Sequence, residues 1–279
     1  MRWVIDRLRI SPPVTIEAGI PFAEVEDRAL LLDIYAPRQR EWPSPAVLLI
    51  HGGGFVGGSR TDADIVAAGR HLAEAGYVAV ALDYRLVDPG RPGPVWPAPL
   101  ADVQRAARWV RAHATTYGVD PERLGAYGIS AGAGLAAHLG VRDARDTPDR
   151  NLTALSSRAR CVVALAGPMD GTIPPANPGD MDVARALFGG TSTQVPNVYR
   201  DASPVSHVDR ESAPFLVVHG VRDTVVPVAH ARRLVAALRK AGVAVEAVEV
   251  PGAGHDVFSW DRVGTRVLAF LEQYLGPDD

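Results

Sequence analysis

The sequence predicts an α/β protein: a mostly parallel sheet with helices packed on both faces. Three observations predict it. Several short runs are apolar on successive residues, the pattern of strands buried on both sides. Segments with apolar residues on a helical period lie between those runs. Glycine-rich turns follow several of the runs, where a strand would hand over to a helix.

The elements follow in chain order. Residues 14–20 and 30–35 read as two leading strands, antiparallel to each other. Residues 46–50, 77–82, 124–127, 161–166 and 215–219 are the buried runs. Residues 243–250 carry Glu246 and Glu249, so they read as a more exposed strand near the sheet edge. Between them, Val103, Ala107 and Val110 share one helical face. Residues 131–139 read as a helix, and Val228, Ala231, Leu234, Val235 and Leu238 line another. Val263, Val267, Phe270, Leu271 and Tyr274 line a last one. Two stretches break this rhythm. Residues 85–99 hold five prolines. Residues 167–212 hold Pro168, Pro174, Pro175, Pro178, Pro196 and Pro204 around one short helical stretch, 181–187. An irregular stretch of that length inside a compact domain reads as a lid or binding element; the blander reading is a solvated insertion. The expectation is a single domain over residues 1–279, with a lid insertion at 168–205.

Composition narrows the chemistry. The chain has 279 residues, a size for one large domain, with two small ones as the weaker reading. Cys161 is the single cysteine, so neither an internal disulfide nor a cysteine-rich zinc site is available. Lys240 is the single lysine, and Ala241 follows it, so a Walker-type phosphate loop is excluded. The remaining basic residues are arginines, and the net charge of −3 gives no basic field for nucleic acid. No apolar run reaches the ~18–20 residues of a membrane span. Charges interrupt the short apolar stretch at residues 1–10, a poor signal peptide, so the default expectation is a cytoplasmic protein. A leader cleaved from a longer precursor would leave no trace in this sequence. No H-E-x-x-H or other metal-ligand spacing occurs, so no metal and no cofactor are expected.

The chemistry gathers at the turns. Gly128-Ile-Ser-Ala-Gly132 follows one buried run and precedes a helix. A nucleophilic serine, here Ser130, must project from a tight turn, so its neighbours two residues away must be small. The helix start behind it offers N–H groups to a developing oxyanion. His51-Gly-Gly-Gly54 follows the run 46–50. Three glycines let the backbone turn N–H groups to one point, with Gly53, Gly54 and Ala131 as donors; a plain glycine-rich turn is the rival reading. The base and acid are expected in chain order serine, acid, histidine. Of eight histidines, His71, His113, His138 and His230 fall in helical segments and read as surface or packing residues. His219 ends a buried run, and His207 sits in the lid-like stretch. His255 lies in the turn Gly252-Ala-Gly-His-Asp256 between the last strand and the last helix, so it is the expected base. Asp223, in the loop after the run 215–219, is the expected acid. Asp256 and Asp170 are its rivals, and an Asp that merely shapes a turn is the bland alternative.

One decoy is present. Gly132-Ala-Gly134-Leu-Ala-Ala137 matches a dinucleotide fingerprint. Its first glycine already closes the serine turn, and the charged region 142–150 stands where a strand ending in an acidic residue is needed. Small residues for close helix–sheet packing are the simpler reading.

Taken together, His51-Gly-Gly-Gly-Phe55, Asp83-Tyr-Arg-Leu86, Gly128-Ile-Ser-Ala-Gly132, His219-Gly-Val-Arg-Asp223 and Gly254-His255 resemble the α/β-hydrolase superfamily. They are most similar to its acetyl-esterase and hormone-sensitive-lipase-like carboxylesterases, over roughly residues 14–275. The resemblance implies an eight-stranded, mostly parallel sheet and a metal-free serine hydrolase. Its catalytic set would be Ser130, Asp223 and His255, with Gly53, Gly54 and Ala131 as the oxyanion hole. Ile129 in the elbow and Val87-Asp-Pro-Gly90 after the tyrosine motif depart from the lipase-like pattern. Only 50 residues precede His51, which leaves little room for an N-terminal cap. These departures resemble the shorter-capped acetyl, acetylxylan and feruloyl esterases. The expectation is a short-chain carboxylesterase acting on a small-molecule ester, with Phe55, Phe188 and Tyr199 as pocket walls. An amide-cleaving relative such as an arylformamidase, a non-catalytic ligand-binding relative and a dinucleotide-binding oxidoreductase are the alternatives. The sequence leaves the oligomeric state open, a homodimer included.

Overall fold

The computed structural model describes residues 14–25, 28–39, 43–88, 90, 96–143 and 152–277. The readings made for residues 1–10 and for most of 142–150 lie outside them. Eight strands form one sheet in the order β1-β2-β4-β3-β5-β6-β7-β8. They are β1 (Val14–Val25), β2 (Arg28–Pro37), β3 (Ser44–Ile50), β4 (Val78–Leu82), β5 (Val119–Ile129), β6 (Val162–Leu165), β7 (Phe215–Gly220) and β8 (Val245–Val250). β2 runs antiparallel to both β1 and β4, and every other neighbouring pair is parallel. The predicted leading antiparallel pair and the eight-stranded sheet are therefore present. β8 lies at the sheet edge with alternating exposure, as its glutamates required.

Burial on both faces is visible residue by residue. Along β3, Ala46, Leu48 and Ile50 enter one core and Val47 and Leu49 the other. The first core packs α2 (Ala98–Ala112), α4 (Ala131–Val141) and α7 (Ala229–Lys240) through Val103, Leu135, Leu139, Leu234 and Leu238. The second packs α1 (Ala63–Glu74) and α8 (Trp260–Leu275) through Ile65, Leu72, Val267 and Leu271. Cys161 is buried in that second core, and burial pushes its thiol up to about 12, so it is an apolar packing group rather than a reactive thiol. Lys240 is an exposed charge at the end of α7. A short helix, α3 (Ala114–Tyr117), leads into β5.

Segment 168–205 carries two helices where one was expected. α5 (Pro178–Phe188) contains the predicted stretch 181–187, and α6 (Pro196–Asp201) was not foreseen. At six residues α6 is too short for a helical period to show in sequence.

The register places the site. Ile50 pairs with Gly128, Ile129 with Leu165, and Val218 with both Leu165 and Val248. The carboxyl ends of β3, β5, β6, β7 and β8 are thus level, and the loops leaving them meet at one end of the sheet. Between β3 and β5 the strand order changes direction, which leaves a crevice there.

Candidate active site

Ser130 sits in that crevice, between β5 and α4, with φ 52° and ψ −120°. A non-glycine residue in the left-handed half of backbone space is strained, and the strain is held by the packing around it. Gly128 and Gly132 make the turn possible. A Cβ on Gly128 would strike the Gly132 carbonyl, and one on Gly132 would strike the Ile50 and His51 carbonyls. The serine N–H donates to Leu165 O at 2.8 Å, which ties the elbow to β6.

The loops after β7 and β8 bring two more groups to it. They are sewn together by Val221 N–H to Val250 O (3.1 Å) and Arg222 N–H to Ala253 O (2.9 Å). His255 Nε2 lies 2.9 Å from Ser130 Oγ, and its Nδ1 lies 2.7 Å from Asp223 Oδ2. The Asp223 side chain is sealed from solvent and the His255 side chain is 22% exposed, so of the two only the imidazole faces the crevice. Asp223 Oδ1 accepts the N–H groups of Val225 and Val226, both at 2.8 Å, which fixes the carboxylate plane. The rival acids lie elsewhere. Asp256 is exposed. Asp170 accepts from Thr172 and Arg233; burial works to raise its pKa, and those bonds outweigh it and hold the carboxyl low.

The glycine loop after β3 approaches closely: a Cβ on Gly52 would lie 3.3 Å from Ser130 Cβ. The Gly53 carbonyl accepts from Val56 and Gly57, while the N–H groups of Gly53, Gly54 and Ala131 have no acceptor among the described residues. Gly53 takes φ 101°, and a Cβ there would strike the Gly57 carbonyl. The tyrosine motif explains the loop's rigidity. Tyr84 stacks on His51 with ring centroids 4.2 Å apart, and its hydroxyl donates to the His51 and Gly52 carbonyls. Arg85 is held by Asp102 through a forked pair at 2.8 Å each, and Asp83 by Arg60 at 2.6 Å.

These groups open on a cavity of about 510 Å³. Ser130, His255, Gly53, Gly54 and Ala131 line it, as do the predicted walls Phe55, Phe188 and Tyr199. Phe188 and Tyr199 pack together at 4.5 Å, and the tyrosine hydroxyl turns away to donate to Gly190 O.

Four further residues lie at the site without having been assigned to it. His219 Nε2 lies 2.7 Å from the Val226 carbonyl and 3.2 Å from Asp223 Oδ2, so it donates to both; burial lowers its pKa and keeps it neutral. His138 and His230, expected as surface or packing residues, are buried in the cavity wall. Trp96 also lines the wall and donates its indole N–H to Asp201 at 2.8 Å. His219 opens the motif His219-Gly-Val-Arg-Asp223, but its contact with Val226 shows only in the folded loop; the other three carry no local sequence signal, because each reaches the site through tertiary packing.

Fold and site together define an α/β-hydrolase. The chain belongs to the BD-FAE family, whose model matches residues 32–238. It is 34% identical over 263 residues to Esterase LipC of Mycobacterium tuberculosis (strain ATCC 25618 / H37Rv), covering 89% of this chain and 63% of that one. It is 33% identical to Esterase LipQ of the same organism, covering 89% of this chain and 59% of that one. The chain thus spans less than two thirds of the length of these relatives. Among solved structures, the esterase Est2 of Thermogutta terrifontis in its butyrate-bound form is 27% identical with a TM-score of 0.76, covering 93% of this chain and 92% of that one. The same organism's esterase 2 phosphonylated by sarin is 26% identical with a TM-score of 0.80, covering 96% and 98%. Among the described residues no helix is long and apolar enough to cross a membrane, and no group of three or more metal-ligating side chains occurs.

Proposed function

We propose that this chain is a serine carboxylesterase that hydrolyses short-chain acyl esters through an acyl-enzyme on Ser130. The observation that carries this reading is the hydrogen-bonded row Asp223–His255–Ser130, open to a cavity beside three free N–H groups. Ser130 Oγ gives its proton to His255 Nε2 and bonds to the ester carbonyl carbon. Asp223 stabilises the imidazolium, and Gly53, Gly54 and Ala131 donate to the oxyanion. Such a donor is worth ~2.7–4 kcal/mol because it acts on charge that exists only in the transition state. As the intermediate collapses, the C–O bond to the alcohol breaks and His255 returns its proton to the leaving oxygen. Water then gives a proton to His255 and attacks the acyl carbon; the bond to Ser130 Oγ breaks, His255 returns the proton to Oγ, and the acid leaves.

Segment 168–205 acts as a lid in this reading, since it supplies Phe188 and Tyr199 to the cavity wall. The small acyl preference, acetyl to butyryl, is supported by the butyrate bound to the similar Est2. LipC and LipQ are named as esterases, which supports ester over amide bonds. Ser130→Ala is expected to lower kcat by roughly 10³-fold or more and to abolish labelling by a fluorophosphonate. Undiminished ester turnover by that variant would overturn the reading. In a series of nitrophenyl esters, kcat/KM is expected to peak at or below four carbons; a peak at long chains removes the short-acyl part. Faster cleavage of nitroanilides than of the matching nitrophenyl esters would move the chain to the amide-cleaving class.

A further inference from the structure

His230 stands in the cavity wall at the start of α7, and the triad makes no use of it. Its Nδ1 lies 3.2 Å from the backbone nitrogens of both Met169 and Asp170. Both are N–H donors, so Nδ1 is the bare, accepting nitrogen and the ring proton sits on Nε2. Burial keeps the ring neutral, with its pKa pushed down to about 4. The imidazole is therefore a fixed donor and does not act as a base near neutral pH.

That donor is unused. His230 Nε2 has no hydrogen-bond partner among the described residues. Nor is it sealed away: among the described residues the unpaired polar side-chain atoms shut off from solvent are Gln104 Nε2, His138 Nδ1 and Arg142 Nε. The residue as a whole is only 6% exposed, and it faces the cavity. Asp170, whose backbone N–H is one of the two anchors, has its carboxylate occupied by Thr172 and Arg233. A donor held by two backbone amides and left open to a largely apolar cavity is a built recognition element, because a buried donor without an acceptor costs free energy.

The charge of the wall selects the acceptor. Its carboxylates are Asp62, Asp64, Asp180 and Asp170, the last paired with Arg233, and no arginine or lysine lines it among the described residues. Three carboxylates without a lining cation disfavour carboxylate and phosphate groups there, and no basic side chain of the wall offers them a counter-charge. We infer that His230 Nε2–H is a specificity-determining donor for an uncharged oxygen, an ether, hydroxyl or carbonyl, carried by the substrate away from its scissile carbonyl. The inference rests on the esterase reading and deepens it: the preferred esters are oxygenated and neutral, not plain hydrocarbon.

The test compares pairs of esters that differ by one oxygen for one methylene. Nitrophenyl methoxyacetate against nitrophenyl butyrate probes the acyl side. 2-Methoxyethyl acetate against butyl acetate probes the alcohol side. Each pair is measured on the wild type, on His230→Leu and on His230→Gln, whose amide can accept from the two backbone N–H groups and still donate. The ratio of kcat/KM, oxygenated over hydrocarbon, is expected to fall about three- to tenfold in His230→Leu for at least one pair, the worth of one neutral hydrogen bond. It is expected to stay near the wild-type value in His230→Gln. Dividing by the hydrocarbon partner cancels any general damage, and comparing the ratio between variant and wild type cancels the electronic effect of the oxygen. His230→Met carries the same test should the leucine variant fail to fold. Both ratios unchanged, with butyrate turnover retained, would overturn the inference while leaving the esterase reading intact. Esters turned over equally well by Ser130→Ala would instead defeat the esterase reading, and the inference with it.

Discussion

At the scale of single residues, Asp223 shows how a carboxylate becomes an orienting group. Its two oxygens have four donors within reach: the N–H groups of Val225 and Val226 on one, His255 and His219 on the other. With every lone pair directed, the carboxylate cannot swing toward solvent, and the His255 ring is held with Nδ1 as the protonated nitrogen. Asp223→Asn is expected to fold normally and to lower kcat by about 10³–10⁴-fold, because the amide can present a donor to Nδ1 and force the wrong tautomer. Steady-state kinetics beside a thermal melt decide this; a loss under tenfold would make Asp223 a mere turn former. His219 is a positioning residue in the same cluster. His219→Phe is expected to lower kcat roughly tenfold with KM little changed, and His219→Gln to recover part of it. A KM effect alone would place its role in the pocket instead. That Ser130, His255 and Asp223 would meet was legible in the sequence because each sits in a turn after a strand run. His219 ended such a run too, but its partner, the Val226 carbonyl, becomes visible only once the loop is folded back.

At the scale of elements, the strands and most helices could be read because their burial is periodic. From Ala46 to Ile50 β3 is buried on both faces and apolar at every position, while α7 and α8 keep one apolar stripe each. What the sequence does not reveal is how segment 168–205 is fastened. Asp201, at the end of α6, accepts from the indole of Trp96 at 2.8 Å and from Arg142 at 2.7 Å. Trp96 N–H also donates to Leu187 O at the end of α5. These bonds join positions from distant parts of the chain, and no local pattern announces them. They make the Trp96 loop and α4 the two anchors of the segment. Asp201→Ala is expected to loosen it without touching the triad: proteolytic nicking within 168–205 should accelerate several-fold, KM should rise, and fluorophosphonate labelling of Ser130 should persist. Nicking at the wild-type rate would show that apolar packing of Phe188, Tyr199 and Leu187 fastens the segment by itself.

At the scale of the whole molecule, buried histidines tie stability to pH. His138 is fully enclosed, with Nε2 donating to Ala202 O at 3.2 Å, and burial drives its pKa down from 6.5 to about 3. Burial drives His230 down to about 4, and it lowers His51 and His219 as well. The sign follows from proton counting. Between pH 6.5 and about 4 the unfolded chain binds protons on these rings that the folded chain does not, so stability falls as pH falls through that window. Above pH 6.5 the contribution is complete. Below their ordinary value of 3.8, Asp143, Asp170 and Asp201, whose pKa values are held low by hydrogen bonds that outweigh their burial, add a loss of the same sign. Each neutral buried histidine contributes a slope of up to about 1.4 kcal/mol per pH unit. His138→Leu removes one of them. Its unfolding free energy in urea is therefore expected to fall less steeply than that of the wild type between pH 6 and 4.5, by about 1.4 kcal/mol per unit, even where its stability at pH 7 is lower. Parallel lines for the two proteins would mean that His138 titrates alike in both states and is solvated when folded. A converging pair would locate the acid sensitivity in the helix that starts just after Ser130, so that the turn presenting the proposed nucleophile and the packing that sets the response to acid are one element.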